Sequence, residues 1–273
     1  MPDAGSYPLG YTEDEARRLA DQSAFFEDLT MDVLRRAGVG SAMQILDLGC
    51  GVGDVSLLAA RMVGANGAVL GIDRSASSVE TARRRAAAIG VRNVQFKTAE
   101  LDAFDTEKTF DAVIGRFILC FQPDPSATLR RFRAFLKHDG IIAFQEIDVE
   151  QFSQMPPSEL HTRVRSWAIA ALKSADVEIN MGSRLLSTFL DAGLPRPTMI
   201  AAQRVESGPD TYIYAGAADL VRSLLPLLEP TGIASIEEVA IETLAERLRR
   251  DATAKESVTF SQRLVGAWSR LSG

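Results

Sequence analysis

Asp47, Gly49, Gly51 and Gly53 alternate through one short stretch, and a further acid, Asp73, follows 20 residues after the last glycine. Glycines permit positive φ and let a ligand approach the bare backbone. An acid at the tip of the second strand of a βαβ unit can hold the two hydroxyls of a ribose. The flanking residues predict that unit. Ile45, Leu46 and Leu48 form a short apolar run suited to a buried parallel strand. Val55 to Met62 reads as an apolar-rich helix, and Ala68 to Ile72 as a second strand that delivers Asp73.

Two cofactor classes use this geometry. The dinucleotide fingerprint is G-x-G-x-x-G, with a pyrophosphate on the helix N-terminus. Here the spacing is G-x-G-x-G, and the place of the third dinucleotide glycine holds Asp54. An acid facing a pyrophosphate is unfavourable, which argues against a nicotinamide oxidoreductase. S-adenosylmethionine lacks phosphate and fits better. The stretch ILDLGCGVGDVS resembles motif I of the class I S-adenosylmethionine-dependent methyltransferases, and VLGIDRS resembles the segment after it.

That resemblance covers residues 44 to about 148 and assigns roles. It places the methionine part against Gly49, Gly51 and Gly53, and the ribose on Asp73. Asp47 receives the ammonium or orders the loop. Arg74 is a solvated neighbour of the ribose acid or lays its stem over the adenine. The family often has an acid at the end of strand three, where this chain has Thr98. Thr98, the Ala99 amide and Glu100 are the adenine candidates. Arg116 and Phe117 follow strand four, bordering the methionine carboxylate and the transfer site; an ion pair and core packing are the plainer readings. Gln145, Glu146 and Asp148 end strand five, where one can orient an amine or take a proton, with a solvent-facing position as the default.

The surrounding elements predict an α/β fold: a Rossmann-like, doubly wound, mostly parallel seven-stranded sheet. Thr12 with Glu15 reads as a capping box for a helix that stops at Gly38. Ser77 with Glu80 caps the helix before Gly90. Strands follow at Val94–Thr98, Phe110–Gly115 and Ile141–Ile147, with a helix from about Pro125 to Leu136. The resemblance supplies a helix at Ser183–Ala192, a sixth strand near Met199–Glu206 and a last antiparallel strand near Val258–Trp268. The expected organisation is one domain over 1–273, with an N-terminal helical extension at 1–40 and cap insertions at 150–180 and 207–255.

Composition narrows the class. The chain has 273 residues, 46% of them hydrophobic, enough for a large core. A net charge of −6 without a basic stretch argues against nucleic acid as partner. Two cysteines, Cys50 and Cys120, suit a reducing cytoplasm rather than a disulfide framework, and with two histidines they offer no zinc site. No stretch reaches the 18 apolar residues of a membrane span, and Met1-Pro2-Asp3 does not open like a secretion signal.

Outside the motif, the chemistry is thin. His161 is the one histidine with a path to a catalytic role, as a general base; packing is the commoner fate of a lone histidine. His138 sits in a turn at the other sheet edge. Met155, Trp167, Tyr212 and Tyr214 suit an aromatic pocket or a core. The run Val221–Leu228 is apolar enough for a homodimer interface. The expected function is methyl transfer from S-adenosylmethionine to O, N or C of a small-molecule metabolite, driven by proximity and desolvation. The competing reading is a non-catalytic cofactor- or partner-binding module of the same fold.

Overall fold

The computed structural model of the chain describes Leu9 and residues 13–271. Helix α1 spans Glu13–Ala37. In its second half Phe26, Thr30, Val33, Leu34 and Ala37 are buried, the spacing of one helix face. It ends in a Schellman motif: the Gly38 amide reaches the Arg35 carbonyl and the Val39 amide the Leu34 carbonyl. The expected Thr12 cap lies outside the described residues.

The predicted alternation follows: β1 (Gln44–Leu48), α2 (Asp54–Val63), β2 (Ala68–Asp73), α3 (Ala76–Ala88), β3 (Val94–Thr98), β4 (Phe110–Arg116), α4 (Pro125–Arg133) and β5 (Leu136–Asp148). Ile45, Leu46 and Leu48 have no exposed surface, as a doubly covered strand requires. The cap of α3 is Ser75, whose side chain accepts from the Ser78 amide, and not Ser77. Only a cap residue one place before the first helical turn can reach that amide.

The rest of the chain forms β6 (Ser153–Met155), α5 (Glu159–Ser174), α6 (Met181–Asp191), β7 (Thr198–Ala202), β8 (Val205–Ser207), α7 (Tyr212–Leu228), α8 (Ile236–Val239), α9 (Ile241–Ala254), β9 (Val258–Phe260) and β10 (Arg263–Arg270). The expected sixth strand is therefore two strands, β7 and β8, and the expected last strand is β9 and β10. In each pair the members belong to different sheets.

Seven strands form one mixed sheet in the order β3-β2-β1-β4-β5-β10-β7. β2 and β4 both pair in parallel with β1, and β3 and β5 extend the parallel set outward. Strand order thus reverses between β1 and β4, and the crevice beyond their carboxyl ends is the place where open α/β sheets bind ligands. This sheet belongs largely to a unit made of Phe26–Glu146, Met181–Ala201 and the described residues from Val265 onward.

A second unit holds the described residues up to Phe25, Ile147–Asn180 and Ala202–Leu264. Its three-stranded antiparallel sheet runs β6-β9-β8. α5 packs on α7, and α7 on α9, so the two segments expected as insertions bury their apolar faces on each other. Val221, Leu224 and Leu228 of α7 are buried within the chain, while Leu225 and Leu227 of the same run are half-buried and Pro226 is exposed. Among the described residues no helix is long and apolar enough to cross a membrane.

Candidate cofactor site

The loop from β1 to α2 takes its shape from its glycines. Gly49 has φ +64, and a Cβ there would lie 2.5 Å from Ile118 Cδ1. Only a hydrogen fits between the loop and that side chain. Gly51 has φ +51, and nothing lies within 4 Å of the Cβ it lacks. Its backbone therefore faces open space, the cradle a ligand needs to approach main chain. Gly53 heads α2 and packs against Phe96 and Ala82.

Asp73 closes this loop from β2. One carboxylate oxygen, Oδ2, accepts from the Gly51 amide at 2.9 Å, and Oδ1 accepts from the Ser75 amide at 2.8 Å. Burial raises its pKa, against the lowering effect of the Ser75 and Gly51 amides and of Arg74. Each oxygen keeps a further lone pair, so the carboxylate can accept two more donors at once. A vicinal diol matches that demand.

Asp47 is buried at the end of β1, and the Ser56 hydroxyl of α2 donates to it at 2.5 Å. Burial pushes its pKa up to about 7, despite the Ser56 bond and the charge of Arg116. Arg116 donates from Nη1 to the Thr30 hydroxyl at 3.0 Å, and its guanidinium lies 5.4 Å from the Phe117 ring centre. That hydroxyl is 2.8 Å from Gln145 Oε1 and 3.1 Å from the Phe26 carbonyl. Burial lowers the Arg116 pKa, opposed by Asp54, Asp47 and Glu27. An acid and a guanidinium that sense each other at the head of β1 and β4 suit the two ends of an amino acid, ammonium and carboxylate.

The Methyltransferase domain family model matches residues 40–192, more than half of the chain. The chain belongs to this family. Over 103 residues it is 39% identical to aklanonic acid methyltransferase DauC of Streptomyces sp. (strain C5), covering 37% of this chain and 46% of that protein. Over 168 residues it is 31% identical to the ubiquinone biosynthesis O-methyltransferase of Colwellia psychrerythraea, covering 52% and 67%. The chain thus spans between about half and two thirds of these relatives' lengths. Among solved structures, coclaurine N-methyltransferase bound to N-methylheliamine and S-adenosylhomocysteine has a TM-score of 0.52 at 16% identity, covering 89% of this chain and 72% of that one. The [4+2]-cyclase SpnF has 0.54 at 19%, covering 90% and 82%. Both likenesses concern the fold alone.

Within this methyltransferase domain the residues fit S-adenosylmethionine: an open backbone cradle at Gly51, a diol acceptor at Asp73, and opposite charges at Asp47 and Arg116. They do not fit a pyrophosphate. Asp54 stands in the first turn of α2, ion-paired with Arg85 at 2.7 Å, where a phosphate would sit.

The adenine side is less furnished. The Ala99 amide donates to the Asp73 carbonyl at 2.9 Å, so it is occupied and not free for a ring nitrogen. Ala99 still lies at the tip of β3, beside exposed Thr98 and Glu100. Arg74 is exposed next to Asp73.

Gln145, Glu146 and Asp148 are all buried, contrary to the solvent-facing default, because β5 lies inside the sheet. Gln145 meets Thr30, and Asp148 is ion-paired with Arg263 at 2.5 Å. Cys50 is buried in the glycine loop, and burial with the Asp47 and Asp73 charges raises its pKa, keeping it a neutral thiol. Among the described residues no cluster of potential metal ligands occurs.

His161 belongs to the other unit. It is 4% exposed, its ring is 4.2 Å from that of Phe152, and its Nε2 has no partner. Burial lowers its pKa to about 4. Trp167 and Tyr214 are buried as core residues, Tyr212 leans on Phe25 at 5.2 Å, and Met155 is exposed. His138 lies near the start of β5 and not in a turn, because the strand begins at Leu136 rather than Ile141; it is exposed beside Asp139.

Sequence reasoning missed Ser56, Thr30 and Ile118. Ser56 had a signal: it is the third residue of α2, and the first turn of a βαβ helix lies over the end of the preceding strand. Thr30 and Ile118 had none, since a threonine mid-helix and an isoleucine after a strand are ordinary.

Proposed function

We propose that this domain binds S-adenosylmethionine at the 47–53 loop and Asp73 and transfers its methyl group to O, N or C of a small-molecule acceptor. The observation that carries the reading is the pairing of an open Gly51 backbone with the doubly anchored Asp73 carboxylate. In this reading Asp73 holds the ribose hydroxyls, Gly51 lies against the methionine part, Asp47 takes the ammonium and Arg116 the carboxylate. When bound, S-adenosylmethionine supplies an electrophilic methyl on a sulfonium.

The protein then aligns acceptor and methyl for an in-line displacement and keeps water out. Alignment alone is worth up to roughly 7–11 kcal/mol. An amine acceptor already free of its proton needs no base, whereas a phenol or acid needs one or a pre-ionised form. The relatives named as O-methyltransferases place oxygen acceptors first in a screen. Two buried free cysteines agree with work in the cytoplasm.

Calorimetric titration with S-adenosylmethionine and S-adenosylhomocysteine, followed by transfer of labelled methyl to a panel of phenols, acids and amines, tests the proposal. Micromolar binding of both with label appearing in an acceptor supports it. Binding of neither to folded protein rejects it. Binding without transfer to any acceptor class favours the non-catalytic module.

A further inference from the structure

Glu146 lies in the middle of the sheet, at the end of β5, with no exposed surface. Its Oε1 accepts from the backbone amides of Ile118 at 3.0 Å and Leu119 at 2.8 Å. The Cys120 thiol also bonds to this carboxyl, while Oε2 has no partner. A carboxyl group is an expensive way to fill space in a core, since a leucine or methionine of similar volume buries at a gain. What the carboxyl supplies is two acceptor contacts at one point of the backbone.

That point is a turn tied to β5 by the Phe117 amide on the Gln145 carbonyl and closed by the Phe121 and Gln122 amides on the carbonyls of Ile118 and Leu119; the amides of Ile118 and Leu119 themselves go to Glu146. Phe117 adopts φ +55, and a single 3-10 turn, Leu119–Phe121, follows. The residue at its cap, Ile118, has no side chain able to receive the free amides. Glu146 caps the turn from the neighbouring strand, as a capping carboxylate does at a helix N-terminus. The turn in turn presses on the glycine loop. The Ile118 side chain lies where a Cβ on Gly49 or on Gly115 would stand, 2.5 Å and 2.9 Å from the nearest Ile118 carbons.

We propose that Glu146 is a positioning residue for the cofactor: by fixing the amides of Ile118 and Leu119 it seats Ile118 against Gly49 and so sets the height of the methionine-binding loop. This rests on the reading of residues 47–53 and Asp73 as the S-adenosylmethionine site. Burial raises the Glu146 pKa to about 7, while the Leu119 and Ile118 amides lower it, the direction expected of donors that hold the charged carboxylate.

The test is calorimetric titration of S-adenosylhomocysteine into wild type, Glu146→Gln, Glu146→Met, Ile118→Ala and, as reference, Asp73→Ala, each first shown by melting to be folded at the assay temperature. Glu146→Met keeps the bulk and loses the acceptor; affinity is expected to fall at least tenfold. Glu146→Gln keeps an acceptor oxygen and is expected to restore affinity to within about threefold of wild type. A role in packing alone would give the reverse order or no difference, and either result overturns the proposal. If Glu146→Met does not fold, Ile118→Ala decides: an at least fivefold loss supports the relay, and wild-type affinity overturns it. An Asp73→Ala variant that binds like wild type overturns the cofactor site itself, and this inference with it. An Asp73→Ala loss beside an unaffected Glu146→Met overturns the inference alone.

Discussion

The amide of Gly51 donates to the carboxylate of Asp73 across 2.9 Å, joining the middle of the β1–α2 loop to the tip of β2. Under the proposed function, the ribose acid is therefore also a brace for the loop that would receive the methionine part. On that reading, ligand binding and loop order depend on one carboxylate.

Replacing Asp73 should expose both roles. Asp73→Ala removes the diol acceptor and frees the Gly51 amide. Hydrogen bonds to a charged group contribute about 1.5–3 kcal/mol each, so losing two should weaken S-adenosylhomocysteine binding at least about 100-fold. Asp73→Asn keeps one acceptor oxygen and should fall between alanine and wild type. Calorimetry reads both. Equal affinities in all three proteins would detach Asp73 from the ribose.

Gly51 and Gly49 should separate binding from folding. Both have positive φ, where a Cβ costs about 1–2 kcal/mol. Gly51→Ala meets no atom within 4 Å, so it should fold with only that loss yet fail to bind cofactor. Gly49→Ala drives a methyl into Ile118 and should be much less stable. Adding Ile118→Ala should recover part of that stability, leaving the backbone strain. Melting temperatures and titrations on the same samples distinguish the two glycines.

Much of this was legible from sequence because it is local. Short apolar runs bounded by glycine gave β1 to β4, with β3 correct at both ends. The glycine spacing and Asp73 marked the loop and its acid. What was not legible depends on distant pairing. β7 and β8 read as one strand because the chain leaves one sheet for the other at Gln203 and Arg204. That bend is secured by the Gln203 side chain on the Ser261 carbonyl and by the Ser261 amide on the Arg204 carbonyl. β9 and β10 part at the same place for the same reason. Likewise, Thr30 meets Arg116 across 86 residues and Gln145 across 115, and no local pattern announces either.

Asp47 predicts a pH dependence of cofactor binding. With its pKa pushed up to about 7, it is largely neutral below that pH and ionised above it. A carboxylate that receives an ammonium must be ionised in the complex. Affinity for S-adenosylhomocysteine should therefore rise as pH climbs through about 7. Asp47→Asn should bind more weakly and lose the rising limb. A rising limb of unchanged size in that variant would assign the titration elsewhere.

His161 and Glu146 should pull stability in opposite directions over the same pH range. His161 has a pKa lowered to about 4 by burial, below its ordinary 6.5, so the folded protein binds fewer protons between those values. Its contribution is fully present above about 6.5 and is lost as pH falls toward 4. Glu146 has a pKa raised to about 7 from 4.5, so the folded protein binds more protons there. Its contribution is fully present below about 4.5 and is lost as pH rises through 7. Each shift is worth up to about 3 kcal/mol. A melting curve of wild type alone would show the two nearly cancelling, so the comparison must be made against single variants. Relative to His161→Gln, wild type should gain stability as pH rises from about 4.5 to 7. Relative to Glu146→Gln, it should lose stability over the same interval. Because His161 is buried against Phe152, His161→Gln should act on melting temperature and leave methyl transfer within about threefold. A loss of transfer of 100-fold or more, in the range that removal of a general base brings, would instead make His161 the base.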